Sequence, residues 1–323
     1  MNDDYKDRRK SHRRSFFIDS CGKPERKDAN TVNPGKRKKI FAVCFVVGMV
    51  GGYYYYQTLE SSSTEVINAA PTATETTSNA AMTMSDVLDM AKSARTHLST
   101  TLNDYTARFV KQEQDATGNM TPESEIQMKV QTRCRNENND APMRVYLAFN
   151  APKNLKGREV IWGADLFDGT MAVHEVGLLL GLKTLWLDPT GFLAMQGQRY
   201  PISEIGIMKL IDKLIERGEK DRDNPDISVN IITDQKLDDI PTEVIQIRRS
   251  KPSNEEDDFS LAEITLDPER QLILGYRAFG WPDEPEGDPV LLESYTYHDV
   301  KTNVGLTDAD FDPKNSEYNF PAL

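Results

Sequence analysis

The spacing of apolar residues changes several times along this chain, and the changes divide it. The first signal is a run of seventeen uncharged residues, 40–56 (IFAVCFVVGMVGGYYYY). At a rise of about 1.5 Å per residue it spans about 25 Å as a helix, the short end of a membrane crossing. Residues 85–103 follow with apolar side chains at Val87, Met90, Ala91, Ala94, Leu98 and Leu102, the period of a helix with one buried face. Thr83 or Ser85 can cap it, and Asp86 and Asp89 sit near its positive end. His97 lies close to the buried face and is expected as a hydrogen-bonded structural residue. From Tyr105 the period becomes two. Tyr105, Ala107 and Phe109 alternate with polar neighbours, DATGN supplies a turn, and Ile126, Met128 and Val130 alternate again. This predicts a hairpin with one wet face.

Alternating or apolar runs continue through PMRVYLAF, REVIWGADLF, TMAVHEV and GLKTLWL, with Asp168-Gly169 as a hairpin turn and FLAMQGQRYP as a crossing segment. Pro201 to Arg217 then reads as a helix with Ile202, Ile205, Ile207, Met208, Leu210, Ile211, Leu214 and Ile215, apolar around most of its circumference and so buried on several sides. Gly218 is placed to end it. Strand patterns return in DISVNIITDQ, TEVIQIRRS, FSLAEITLD, RQLILGYRAFGWP and VLLESYTYHDV, and LTDADFDPKNSEYNFPAL closes the chain as a capping turn and tail. About ten strands and two helices without βαβ alternation predict an α+β fold. Its form is a curved antiparallel sheet, an incomplete barrel, wrapped around a buried helix and preceded by one transmembrane helix.

Charge sharpens this division. The net charge of −12 hides 13 Lys/Arg against 6 Asp/Glu in residues 1–39, none in 40–56, and 26 Lys/Arg against 45 Asp/Glu in 57–323. We therefore expect a disordered basic tail over 1–39, a membrane anchor over 40–56, a Ser/Thr/Ala-rich flexible linker over 57–84 and an α+β body over 85–323. Lys36 to Lys39 abut the apolar run, so the tail is expected in the cytoplasm and the body in the periplasm, with the inner membrane as the location. A cleaved signal peptide competes, but the leader is long and the tyrosines at 53–56 replace small residues at a cleavage site. Gly48 and Gly52 form a GxxxG that offers a homodimer face. The acidic body argues against nucleic-acid binding.

Candidate chemistry is sparse. The cysteines, Cys21, Cys44 and Cys134, form no CxxC, and Cys134 stands in an alternating strand context as a packed thiol. His174-Glu175 would open a zinc-protease motif, but Leu178 stands where the second histidine belongs. No GxSxG elbow or EF-hand spacing occurs, and the acidic runs read as solvated loops. No catalysis and no cofactor are expected. Tyr146, Phe149, Trp162, Trp186 and Phe192, together with Ile205, Met208, Ile211 and Ile215 of the apolar helix, are the candidates to line an apolar cavity. Ordinary core is the alternative for each. Lys156 and Arg158 could form a polar rim at its mouth.

Gly157-Arg158-Glu159-Val160, Asp188-Pro189-Thr190-Gly191, Arg199-Tyr200-Pro201, Gly206 and the terminal FDPKNSEYNF resemble the pattern of an uncharacterised bacterial domain-of-unknown-function family, over roughly residues 86–320. More distantly, the order of helix, YTARFVKQE hairpin, further strands, buried helix and late strands is similar to the periplasmic lipoprotein-carrier fold. That likeness implies a half-barrel sheltering acyl chains. Carriers diffuse, whereas an anchored body implies local binding of lipid or lipoprotein. A non-catalytic structural or interaction module of the cell envelope is the alternative.

Overall fold

The structure, a computed structural model, describes residues 82–321 apart from 116, 178–180, 254–257, 283 and 285–286. The tail, the apolar run with its Gly48/Gly52 pair and most of the linker lie outside the described residues. No helix among those described is long and apolar enough to cross a membrane.

Helix α1 (Met84–Thr101) starts at a capping box. The Thr83 hydroxyl accepts from the Asp86 N–H at 3.2 Å while the Asp86 carboxylate accepts from the Thr83 N–H at 2.8 Å. Two of the donors a helix start leaves unpaired are thus satisfied. The buried face is Met84, Val87, Leu88, Ala94 and Leu98. His97 lies on the exposed side, contrary to its expected place near the core; it is one residue off the buried stripe.

Strands β1 (Asp104–Glu113), β2 (Ser124–Gln131), β3 (Arg144–Ala151), β4 (Glu159–Gly163), β5 (Met171–His174) and β6 (Leu185–Leu187) form one antiparallel meander. Helix α2 (Ile207–Lys220) carries the chain to a second meander, β7 (Ile227–Leu237), β8 (Ile240–Arg249), β9 (Leu261–Asp267), β10 (Leu272–Phe279) and β11 (Leu291–Thr302). The two join where β1 pairs with β11, giving one open sheet ordered β6-β5-β4-β3-β2-β1-β11-β10-β9-β8-β7. Eleven described strands stand where about ten were expected.

One face of this sheet carries both helices. A single apolar cluster runs from Met171 and Val173 on β5 to Ile245 and Ile247 on β8, with Leu88 and Leu98 of α1 and Ile207 and Ile211 of α2 inside it. Laid flat, eleven strands would extend about 48 Å, while two helices cover about 20 Å. The sheet twist that all strands share lets both halves reach the same helix pair.

The second helix departs from its expected limits. Ile202–Glu204 form a separate 3-10 turn, and Gly206 at φ +107° interrupts the chain before the helix proper. A Cβ at Gly206 would stand 2.9 Å from the Tyr105 hydroxyl, which accepts from the Ile207 N–H at 3.1 Å. Apolarity on all sides was the sum of two segments. Within α2 only Ile207, Ile211 and Gly218 are buried, and Asp212, Glu216 and Glu219 face water. Gly218 lies within the helix rather than at its end. Its missing side chain admits α1: a Cβ there would meet Met84 Cε at 2.7 Å and Leu88 Cδ2 at 2.9 Å. Arg95 to Asp212 at 2.6 Å and Lys92 to Glu219 tie the same two helices at their polar edges.

The opposite face of the sheet is covered over β2–β5 by the C-terminal segment. Tyr318 stacks on Tyr146 with centroids 4.1 Å apart, and Asn319 donates twice to the buried Glu159 carboxylate, at 2.9 and 2.8 Å. Lys129 reaches Asp310 at 2.7 Å and lies over both tyrosine rings. Phe311, Ile161 and Ala172 complete this smaller cluster.

Candidate functional site

Two cavities lie between the helices and the sheet. The larger, of about 250 Å³, is bounded by Val87, Leu88 and Ala91 of α1, Leu214 of α2 and Ile245, Ala262, Ile264 and Ile273 of β8–β10. Its wall is almost wholly apolar because the strands present alternate residues inward and the paired helices meet at Gly218, leaving the space beside them open. Arg217 and Tyr276 also line it. The smaller, of about 170 Å³, lies under the start of α2 and the segment 193–206, against β1–β5. Phe109, Leu147, Phe149 and Val160 form its floor, and Lys111, Glu113, Arg158 and Glu175 give it a polar side.

A buried polar cluster stands between the cavities. Glu113 accepts from Lys111 Nζ at 2.8 Å, from the Arg199 N–H at 2.9 Å and from the Tyr295 hydroxyl at 2.6 Å. The Tyr295 hydroxyl also lies 3.0 Å from Glu293, whose carboxylate has Arg199 and Arg217 at 3.7 Å. Arg217 donates to the Tyr276 hydroxyl at 2.9 Å. Burial pushes the Glu113 carboxyl up, but Lys111, Tyr295 and the Arg199 N–H outweigh it and hold the group below its ordinary range. Burial, reinforced by the charges of Glu293 and Glu113, pushes the Tyr295 phenol far above its ordinary value, so it stays a donor. Tyr276 is raised for the same first reason, burial. Every charge of this cluster has a partner, and Lys111 and Glu113 also border the smaller cavity while Arg217 borders the larger.

Of the nine residues expected to line a cavity, Phe149 and Ile205 do so, both in the smaller one. Trp162 is buried in the main core. Ile211 is fully buried, and Met208 and Ile215 pack against the core without bordering a cavity. Tyr146 belongs to the opposite face: it and Phe149 are three residues apart on one strand, so they point to opposite sides. Trp186 and Phe192 are 46% and 82% exposed and border neither cavity. They sit on the edge strand and the turn after it, where no further strand among the described residues covers them. Arg158 is on the rim as expected, paired with Glu175 at 2.7 Å; Lys156 is exposed and away from it. The larger cavity has no signature of its own in the sequence. Its lining comes from α1, α2 and β8–β10, whose apolar positions read individually as ordinary core.

His174 ends β5 as a strand residue, and Glu175 is engaged by Arg158, so no helical zinc motif forms there. Among the described residues no three His, Cys, Asp or Glu groups gather around a common point. Cys134 is buried, and burial pushes its thiol up, as suits a packed residue.

Among curated proteins nothing matches this sequence. Among solved structures the chain is similar to a DUF1329 family protein from Desulfovibrio piger, with 12% identity over 71% of this chain and 97% of that one at a TM-score of 0.35. It is similar to the lipoprotein LppX of Mycobacterium tuberculosis, with 11% identity over 70% and 98% at 0.36. A LolA superfamily protein from Nitrosomonas europaea follows, with 9% identity over 69% and 97% at 0.27. The distant likeness to lipoprotein carriers is thus met among known structures, and at these scores it carries no argument about ligand. The match to a family model is firmer: it covers residues 102–320, more than half of the chain, and the protein belongs to the DUF1571 family of proteins of unknown function.

Proposed function

We propose that this protein binds an apolar chain, an acyl group of a lipid or of a lipidated protein, in the larger cavity between the helix pair and β8–β10. One observation carries the reading: a space of about 250 Å³ whose wall is mostly apolar, with side chains from α1, α2 and three strands. A dry apolar cavity of about 150 Å³ is enough to take up benzene. At about 24 cal/mol per Å³, an enclosed void of about 250 Å³ would cost up to about 6 kcal/mol, with an open mouth lowering the figure. That is a large part of the about 5–15 kcal/mol by which a domain is stable. A chain lying in the cavity restores the missing contacts.

The arrangement we propose around this body is a single-pass anchor over residues 40–56 in the inner membrane. The basic tail would lie in the cytoplasm and the body in the periplasm, held off by the linker. The 17 uncharged residues after Lys36–Lys39 support it. The protein acts by binding rather than catalysis. Native mass spectrometry of the protein purified from membranes tests the reading: a co-purifying lipid or acyl species is expected. A consistently empty body with no affinity for fluorescent fatty-acid probes would overturn it.

A further inference from the structure

Seven large apolar side chains are exposed among the described residues. Four of them, Leu182, Trp186, Phe192 and Leu193, fall within one stretch of twelve, at 69%, 46%, 82% and 64% exposure. Singly such residues mean little; grouped, they mark a contact surface. This stretch flanks β6, the edge strand of the first meander. The register pairs Ala172 with Trp186 and Met171 with Leu187, so the two residues leave β6 on opposite faces. Trp186 meets the Phe167 ring edge-on at 5.0 Å on the outer side. Leu187 and Leu193 border the smaller cavity on the inner side. The apolar rim therefore straddles the sheet edge at the mouth of that cavity.

We propose that this rim docks on a lipid bilayer, with Trp186, Phe192 and Leu193 entering the boundary between headgroups and acyl chains. Two observations favour a bilayer over a protein surface. Between Gly181 and Tyr200 the charged groups are Lys183, Asp188 and Arg199, whereas residues 57–323 hold 26 Lys/Arg against 45 Asp/Glu. The rim is thus spared the negative charge that repels the rest of the body from anionic lipid. A tryptophan at the edge, apolar in body with one N–H, suits the interfacial region. The 25 residues from 57 to 81 extend up to about 85 Å, so any face of the body can reach the membrane next to the expected anchor. The docking edge shares the class of ligand proposed above but not its site.

The test uses the full chain reconstituted into phosphatidylcholine vesicles with or without brominated acyl chains, which quench tryptophan on contact. The tail, apolar run and linker contain no tryptophan, so the signal reports the body. Roughly a third of the emission is expected to be lost in brominated vesicles, the share of one interfacial tryptophan among three. Trp186→Phe should abolish that loss. So should Leu182→Ser/Phe192→Ser, which changes two exposed residues that border neither cavity and should leave thermal unfolding unchanged. Equal emission from the unaltered protein in both vesicle types would overturn the proposal, as would undiminished quenching in the double variant. A detergent-stable dimer that the double variant dissolves, without quenching, would assign the rim to a second copy instead. Bound lipid, read by native mass spectrometry on the same samples, separates the two readings. Lipid without quenching sinks the docking edge alone, and quenching without lipid sinks the binding cavity alone.

Discussion

Glu113 and Glu293 stand opposite each other in the β1–β11 ladder and converge on the single hydroxyl of Tyr295, at 2.6 and 3.0 Å. One phenol proton serves one carboxylate fully. The shorter contact takes it, and Glu293 depends on Arg199 and Arg217. Two buried like charges at one register position would repel each other strongly without these cations. Their presence ties β1, β11, α2 and the segment before α2 into one electrostatic unit between the cavities.

Tyr295→Phe removes the shared donor and leaves both carboxylates short of a partner in a buried setting. A loss of about 1–3 kcal/mol is expected in urea denaturation at neutral pH. An unchanged midpoint would mean that water replaces the hydroxyl.

The pH dependence follows from Glu113. Its folded carboxyl lies below the ordinary 4.5, so its contribution is complete above that value and fades as pH falls through the lower, folded one. Lys111→Met should cost about 3 kcal/mol at neutral pH by leaving a buried carboxylate without its main cation. Burial then dominates and raises the Glu113 pKa, so protonation favours the variant's fold. The stability gap between parent and variant should narrow as pH falls past 4.5. Denaturation midpoints measured at neutral pH and in acid check the sign; a widening gap contradicts the assignment.

Ala262 points from β9 into the larger cavity. Ala262→Phe fills that space, and overpacking should cost no more than about 1–3 kcal/mol. Acyl-probe binding should be lost while the protein stays folded. Binding retained at parental strength would move the ligand elsewhere.

Gly218→Val brings a Cβ to 2.7 Å from Met84 Cε and 2.9 Å from Leu88 Cδ2. The terminal methyls can shift in part, but the second methyl of valine has no room between α1 and α2. A destabilisation of about 1–3 kcal/mol is expected, with α1 loosened first in hydrogen exchange.

Tyr146 and Phe149 test the two faces of β3 separately. Tyr146→Ala strips the outer face under Tyr318 and should cost about 3–5 kcal/mol without changing acyl-probe affinity once the protein is folded. Phe149→Ala enlarges the smaller cavity and should alter what that cavity admits. Neither residue borders the larger cavity, so both variants should keep acyl-probe affinity once folded; unfolding and probe-binding titrations check this, and lost affinity in the Phe149 variant would move the ligand to the smaller cavity.

Much of the architecture was legible from period alone. Alternation at Tyr105, Ala107 and Phe109 and again at Ile126, Met128 and Val130 specifies strands with one buried face, and the observed β1–β2 ladder pairs Phe109 with Ile126. The capping box at Thr83 and Asp86 and the amphipathic stripe of α1 are equally local. Alternation also decides that Tyr146 and Phe149 diverge, though an inventory of aromatic residues obscures it. Local pattern does not decide which faces meet. That β1 pairs with β11, that Gly218 lets α1 lie against α2 and that Ile264, Leu214 and Ala91 surround one space depend on contacts between distant segments. Apolar residues are written alike whether they fill a core or border a hollow. Their sequence determines that they leave water; only the tertiary packing decides whether another side chain or an empty volume lies on the far side.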